Sequence, residues 1–113
     1  MCNRASTSDI MLFLTKAKAL IVGGDYDFVP RSRNLRALAE HGLTIADAKT
    51  EILDLMVCDY YKGPKRDFDH NQTGAIWEFK KFVDGEQFYV KLKIQNQNGK
   101  DVLKCISFHE DDF

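Results

Sequence analysis

The chain has 113 residues, a net charge of −1, and a composition that is 44% hydrophobic and 29% charged. This length suffices for one domain with a real core, and eight Phe, four Tyr and one Trp exclude a disordered chain. The near-neutral charge excludes a protein that attracts nucleic acid through a global basic field, so any anion site must be a local patch.

The three cysteines predict neither a disulfide framework nor a cysteine zinc site, because Cys2, Cys58 and Cys105 form no close pair. Cys58 and Cys105 lie in apolar stretches, and we expect both thiols to pack in the core. The polar start lacks the apolar centre of a signal peptide, and the apolar runs are far shorter than a membrane span. We therefore expect a cytoplasmic, single-domain protein without membrane contact, in which residues 1–9 form a flexible tail.

The first half of the chain predicts helices. Asp9 is the expected N-cap of a first helix from about Ile10 to Val22, whose apolar residues, Leu12 among them, recur at helical spacing. A linker over residues 25–30 follows. A second helix is predicted from Ser32 to Glu40, with Leu35 and Leu38 inward and Gly42 as the signal for its end.

A third helix is predicted to begin at Thr44, because Asp47 follows at the spacing of an N-cap and an acid three residues later. Its expected apolar face consists of Ala48, Ile52 and Leu55.

After this helix the apolar period changes to two, which is typical of strands. Strands are predicted at 77–79, 87–94 and 102–108, with a fourth at 58–62, and the polar stretch from Gly63 to Gly74 is a predicted loop. Helices followed by strands indicate an α+β fold, in which three N-terminal helices pack on one face of a C-terminal antiparallel sheet. The whole chain, 1–113, is one predicted domain.

Asp84-Gly85 is a strong signal for a two-residue hairpin turn. This turn pairs Lys80 with Tyr89 and Glu78 with Lys91 on one polar face of the sheet. The opposite face receives Trp77, Phe79, Val90 and Leu92, and we expect it to contact the helices.

The turn at Asn98-Gly99 needs a different solution, because a plain two-residue turn would direct Ile106 and Phe108 to the polar face. We therefore predict a three-residue loop with Gly99 in the left-handed conformation, which pairs Val90 with Ile106 and Phe88 with Phe108.

This predicted register also brings Ser107 opposite Tyr89 and His109 diagonally across from it. The polar face then holds an acid, an imidazole, a phenol and amines, which are the groups that phosphodiester cleavage requires. Solvated polar residues on an open sheet face, with Glu78 and Lys91 as a cross-strand ion pair, explain the same pattern without any function. The residues gathered on this polar face are Glu78, Lys80, Tyr89, Lys91, Lys93, Ser107 and His109.

Four short strings, in this order, resemble the motility quorum-sensing regulator (MqsR) family of toxins. They are Asp59-Tyr60-Tyr61-Lys62-Gly63-Pro64, Ile76-Trp77-Glu78-Phe79, Phe88-Tyr89-Val90-Lys91-Leu92 and Ile106-Ser107-Phe108-His109-Glu110. The resemblance covers most of the chain and implies a fold similar to that of the RelE endoribonucleases. It also implies a sequence-specific mRNA interferase that needs no metal or other cofactor, cleaves free mRNA and is silenced by a cognate antitoxin protein.

Carried over residue by residue, the family's site falls on Tyr61 with Lys62, on Glu78 and on Tyr89. The chain departs from well-known members, which have an amide at the position of Glu78 and a lysine at that of His109. Resemblance and sheet face together predict that Lys62, Glu78, Tyr89 and His109 are catalytic. The predicted RNA-binding residues are Tyr61, Lys80, Lys91, Lys93 and Ser107.

In the predicted reaction, either Glu78 or His109 takes the 2′-hydroxyl proton and the other protonates the leaving 5′-oxygen. Lys62 stabilises charge on the phosphorus, and Tyr89 orients the phosphate. The near-neutral net charge and the departures at Glu78 and His109 favour a second hypothesis, a non-catalytic regulator that has kept the fold and binds RNA or protein, whereas the retention of Lys62, Tyr89 and the hairpin strings favours the enzyme.

Other residues have simpler interpretations. Trp77 is expected in the core, and His41 at a helix end is expected to interact with the helix dipole. His70 lies in the predicted loop, and Asp111-Asp112 would repel RNA and is expected outside the site. Five cations extend a phosphate track or are ordinary surface charge: Arg31, Arg33, Arg36, Lys65 and Arg66.

Overall fold

A computed structural model describes residues 4–66 and 74–111 of the chain. The predicted fold class is confirmed, because three helices pack on one face of a mostly antiparallel sheet. Among the described residues, no helix has both the length and the apolar character needed to cross a membrane. The elements are α1 (Thr7–Val22), β1 (Tyr26–Phe28), α2 (Ser32–Glu40), α3 (Ile45–Leu53), a short 3-10 helix (Val57–Asp59), β2 (Tyr60–Arg66), β3 (Ala75–Val83), β4 (Glu86–Gln97) and β5 (Lys100–Glu110).

The five strands lie in the order β1-β5-β4-β3-β2. All neighbours are antiparallel except β1, which runs parallel to β5 and pairs Tyr26 with Leu103. The prediction of a linker over residues 25–30 was therefore wrong for Tyr26–Phe28. A strand of three residues is too short to show a period of two. Of the predicted Gly63–Gly74 loop, residues 63–66 belong to β2, whereas residues 67–73, with His70, lie outside the described residues.

The first helix begins earlier than predicted. Ser6 is its N-cap, since its hydroxyl accepts a hydrogen bond from the backbone N–H of Asp9 at 3.1 Å. Asp9 lies in the first turn, where a carboxylate favours the positive helix end. Part of the predicted flexible tail contacts the fold, because Arg4 lies over the Tyr60 ring at 4.9 Å. Residues 1–3 lie outside the described residues.

The buried face of α1 differs from the prediction, which placed Leu12 on it. Leu12 is 69% exposed, whereas its neighbour Phe13 is buried and stacks on Trp77 with ring centroids 4.6 Å apart. Trp77 is thus a core residue, as predicted. The buried residues of α1 are Ile10, Phe13, Leu14, Ala17 and Ile21.

The other two helices follow their predicted bounds closely. Gly42 has φ +65 at the end of α2, a conformation that glycine adopts without strain. Leu38 of α2 is buried, whereas Leu35 is exposed. The predicted capping box of α3 is present, with Thr44 and Asp47 each bonded to the other's backbone N–H. Its predicted apolar residues are all buried: Ala48, Ile52 and Leu55.

The helices cover the predicted apolar face of the sheet, where Phe79, Val90, Leu92 and Phe108 are fully buried. Cys105 is buried as predicted, but Cys58 is exposed, because the 3-10 helix directs it away from the core. Truncating one of the buried phenylalanines to alanine would cost about 3–5 kcal/mol of stability.

The first hairpin has the predicted register. Asp84 and Gly85 both have positive φ, 51 and 81, which is the conformation of a type I′ turn. Lys80 pairs with Tyr89, and Glu78 pairs with Lys91.

The second hairpin corrects the prediction. Asn98-Gly99 is a plain two-residue turn that pairs Gln97 with Lys100. A β-bulge further along the strands then returns the apolar residues of β5 to the apolar face. Leu92 pairs with Cys105, whereas the next residue back, Lys91, pairs with Ser107. Ile106 is the extra residue of the bulge and is only half-buried, so its predicted place on the apolar face was wrong. Phe108 lies opposite Val90, and His109 lies directly opposite Tyr89.

The buried side chain of Asn34 on α2 holds this bulge. Its amide nitrogen donates to the carbonyl oxygen of Ile106 at 2.9 Å, and its amide oxygen accepts from the N–H of Phe108 at 3.0 Å. Without Asn34 the N–H of Phe108 would lose this partner where the ladder is interrupted, and the carbonyl of Ile106 would keep only a long hydrogen bond from Arg31 at 3.4 Å. Asn34 therefore stabilises the backbone that directs Ser107 and His109 to the polar face.

Candidate functional site

A pocket of about 240 Å³ opens on the polar face of the sheet. It brings together all four predicted catalytic residues, Lys62, Glu78, Tyr89 and His109, from strands β2 to β5. The full lining is Arg33, Tyr61, Lys62, Glu78, Lys80, Tyr89, His109, Glu110 and Asp111.

Two of the predicted RNA-binding residues, Tyr61 and Lys80, line the pocket, and three others do not. Lys91 lies beside the Tyr89 ring, with its Nζ 5.8 Å from the ring centroid. Lys93 is only 2% exposed, so a nucleic acid chain has little access to its side chain. Ser107 is also buried, and its hydroxyl accepts a long hydrogen bond from Arg31 at 3.4 Å.

Glu78 is a buried carboxylate with two close partners. Its side chain is 4% exposed, and Oε2 lies 2.5 Å from Nζ of Lys65. Oε1 accepts a hydrogen bond from the Tyr89 hydroxyl at 2.6 Å. Burial alone would raise the pKa of Glu78, but the hydrogen bonds from Lys65 and Tyr89 and the charges of Lys65 and Lys91 outweigh it and lower the pKa. Glu78 is therefore ionised at neutral pH.

Tyr89 is held in its protonated form. Burial, followed by the hydrogen bond to Glu78 and the negative charge of Glu78, raises the pKa of the phenol well above its usual value. The hydroxyl consequently acts as a hydrogen-bond donor and not as a phenolate.

His109 packs beside Tyr89, with ring centroids 5.6 Å apart and planes inclined at 44°. Its Nδ1 lies 2.9 Å from the carbonyl oxygen of Glu110. A carbonyl oxygen only accepts hydrogen bonds, so this contact assigns the N–H to Nδ1. In the neutral imidazole, Nε2 is then the ring nitrogen without a hydrogen, and it is the atom that can accept a proton.

Two lysines are arranged around the partly exposed ring of Tyr61. Nζ of Lys80 lies 4.0 Å from the ring centroid, and Nζ of Lys62 lies 5.0 Å from it. Both distances are in the range of cation–π attraction. Tyr61 therefore keeps two positive charges beside the pocket.

The structure places Asp111 in the pocket, against the prediction that it lies outside the site. Its side chain is 6% exposed, and Oδ2 lies 2.7 Å from Nζ of Lys80. The backbone N–H of Asp111 donates to the carbonyl oxygen of Gln87 at 2.8 Å, which extends the contact between β4 and β5 past Glu110. A carboxylate thus lies where an anion would meet Lys80.

The sequence did not decide whether Lys65 and Arg33 belong to a phosphate track or are ordinary surface charge. In the structure both lie at the site. Lys65 follows Lys62 by three residues, and only the two register shifts in β2 make it a partner of Glu78. Arg33 reaches the pocket from α2. Neither contact leaves a periodic signal in the sequence.

Potential metal ligands also converge in the described part of the chain. They are His41, Glu86 and Glu110, of which only Glu110 also lines the pocket.

The chain matches no protein-family model, no curated protein and no solved structure. The class of this protein is therefore described from its fold and from the residues of its pocket. It is an α+β protein with a pocket in which an ionised carboxylate, an imidazole, a phenol and several amines converge.

Proposed function

We propose that this chain is an mRNA interferase, a toxin-type endoribonuclease that cleaves single-stranded RNA at specific sequences without a metal ion. The observation that carries the proposal is the convergence of Lys62, Glu78, Tyr89 and His109 on one pocket. The resemblance of four sequence strings to the MqsR toxins supports it independently. The enzyme acts in the cytoplasm on mRNA, and a cognate antitoxin protein inhibits it.

Cleavage of RNA by its own 2′-hydroxyl needs a base for that hydroxyl and an acid for the leaving 5′-oxygen. An ionised carboxylate takes a proton but has none to donate, so the lowered pKa of Glu78 favours the base role. His109 then donates from Nε2 to the 5′-oxygen. The products are a 2′,3′-cyclic phosphate and a 5′-hydroxyl.

The transition state carries extra negative charge on the phosphate oxygens, which nearby cations stabilise. Lys62 and Lys80 lie on the ring of Tyr61 and supply this charge. Tyr89 remains protonated, and its single O–H, which donates to Glu78 in the free protein, turns to a phosphate oxygen and orients it when RNA binds. The partly exposed ring of Tyr61 offers a surface on which a base stacks.

The test is single-turnover cleavage of defined single-stranded RNA in excess chelator. The variants are Lys62→Ala, Glu78→Gln, Tyr89→Phe and His109→Ala. Losing the acid or the base should lower the rate about 10²–10⁴-fold. Lys100→Ala is the matched control, because this lysine pairs with Asp25 and does not line the pocket.

A non-catalytic protein that binds RNA or another protein is the second candidate. It is favoured by the engagement of both Glu78 oxygens, one by Lys65 and one by Tyr89. The two candidates differ in one result, because a non-catalytic protein would leave labelled RNA uncut. If RNA is its ligand, it would also retain the uncut RNA on a filter.

A further inference from the structure

A second cluster of ionisable side chains lies where the end of α2 meets the β3–β4 turn and the end of β5. His41 is at its centre, with Nδ1 2.8 Å from Oδ2 of Asp84 and Nε2 3.1 Å from Oε2 of Glu110. Glu86 completes the group, since one ligand atom each of His41, Glu86 and Glu110 lie within 4.8 Å of one another. An edge contact with the ring of Phe88, at 5.0 Å between centroids, fixes the imidazole.

We propose that His41, Glu86 and Glu110 bind one divalent transition-metal ion, with Zn²⁺ as the best fit. One imidazole nitrogen and two carboxylate oxygens are ligands that zinc accepts, with a water at the fourth position. Zinc holds such atoms at about 2.0–2.2 Å, so each ligand needs to move inward by less than about 1 Å. The exposed side chain of Glu86, on the strand next to the turn, is free to make such a movement.

Asp84 has the position of an orienting residue. When its carboxylate accepts a hydrogen bond from Nδ1–H of His41, the lone pair of Nε2 is directed towards Glu110. Histidines that bind metals usually donate their second ring N–H to a carboxylate in this way. When His41 is protonated, Nε2 also carries a proton that faces Glu110, and the ion would displace that proton.

The charge of the cluster also favours a cation. Three carboxylates, those of Asp84, Glu86 and Glu110, surround a single imidazole. The group therefore remains negative even when His41 is protonated. A bound divalent ion would balance this charge and tie three separate elements together, which stabilises the folded state.

The test is calorimetric titration of chelator-treated protein with ZnCl₂ at about pH 8, well above the ordinary pKa of an imidazole, because the hydrogen bonds to Asp84 and Glu110 raise the pKa of His41. We expect one ion per chain and a higher melting temperature with zinc. His41→Gln and Glu86→Gln should each weaken binding at least about tenfold, and Asp84→Asn about 10–100-fold. If His41→Gln fails to fold, Glu86→Gln still tests the site, because Glu86 is exposed and its replacement should not disturb folding.

Two control variants should bind zinc like the parent. Asp101→Asn removes a carboxylate paired with Lys16 elsewhere on the surface, and Cys58→Ser removes an exposed thiol. Absence of zinc binding by the parent, or parental affinity of Glu86→Gln, would overturn the proposal. The outcome is independent of RNA cleavage, which the proposed mechanism performs without an ion.

Discussion

The hydroxyl of Tyr89 donates a hydrogen bond of 2.6 Å to Oε1 of Glu78, diagonally across the first hairpin. This contact couples the two protonation states of the pocket: it lowers the pKa of the carboxyl and raises that of the phenol. Burial of the phenol and the contact of Glu78 with Lys65 act in the same directions, so the carboxylate stays ionised and the phenol stays protonated.

Removing this hydrogen bond should affect stability as well as activity, because Glu78 is buried. A hydrogen bond to a charged group contributes about 1.5–3 kcal/mol, so Tyr89→Phe should lower the free energy of unfolding by about that amount. Tyr26→Phe is the matched control, since among the described residues the buried Tyr26 hydroxyl has no hydrogen-bond partner. Urea unfolding that shows equal losses for the two variants would contradict this assignment.

The lowered pKa of Glu78 gives the stability a defined pH dependence. The folded state binds the proton more weakly than the unfolded chain, whose Glu78 titrates near the ordinary value of 4.5. The contribution of Glu78 is therefore fully present above that pH and is lost as the pH falls through the folded pKa. Glu78→Gln should flatten the acid side of a plot of unfolding free energy against pH. Parallel curves for the parent and the variant would be the opposite result.

The bulge at Ile106 depends on Asn34. Asn34→Leu has a similar volume but removes the amide that donates to the carbonyls of Ile106 and Val29 and accepts from the buried N–H of Phe108; the Ile106 carbonyl keeps only a long hydrogen bond from Arg31. A buried donor without its partner costs about 1–3 kcal/mol and the lost bonds to the carbonyls add to it, so we expect a loss of roughly 2–4 kcal/mol in urea unfolding. Asn96→Ala, at an exposed position, should cost far less. A loss for Asn34→Leu no larger than that of Asn96→Ala would show that this amide does not hold the bulge.

Asp111 pairs with Lys80 at 2.7 Å inside the pocket, where the proposed function requires Lys80 to meet a phosphate. Asp111→Asn should bind a non-cleavable 2′-deoxy oligonucleotide about fivefold more tightly, because the ion pair between Lys80 and Asp111 no longer has to break when Lys80 contacts a phosphate. Fluorescence anisotropy at fixed salt measures this change, with Asp101→Asn as a control outside the pocket. Equal affinities of Asp111→Asn and the parent would show that Asp111 does not oppose the substrate.

Local signals in the sequence predicted those parts of the fold that local chemistry determines. The capping box of Thr44 and Asp47 located α3, and Asp84-Gly85 determined a whole hairpin register. That register alone placed Glu78 and Tyr89 on one face. The alternation of polar and apolar residues then required one extra residue between β4 and β5. It did not locate this residue, because a longer turn and a bulge at Ile106 change the register of β5 by the same amount.

Contacts between distant elements left no such signal. The ion pairs of Lys65 with Glu78 and of Asp111 with Lys80 depend on bulges and strand ends that no period reveals. His41 was interpreted as a partner of the helix dipole, whereas its contacts are carboxylates 43 and 69 residues away in the chain.

The central claim, that this pocket cleaves RNA by acid–base chemistry, is tested most directly by mapping product ends. The parent and His109→Ala are incubated with one defined single-stranded RNA in excess chelator. We predict that the parent produces fragments with a 2′,3′-cyclic phosphate and a 5′-hydroxyl, and that His109→Ala produces them about 10²–10⁴-fold more slowly. Uncut RNA with the parent, or equal rates for both proteins, would contradict the account.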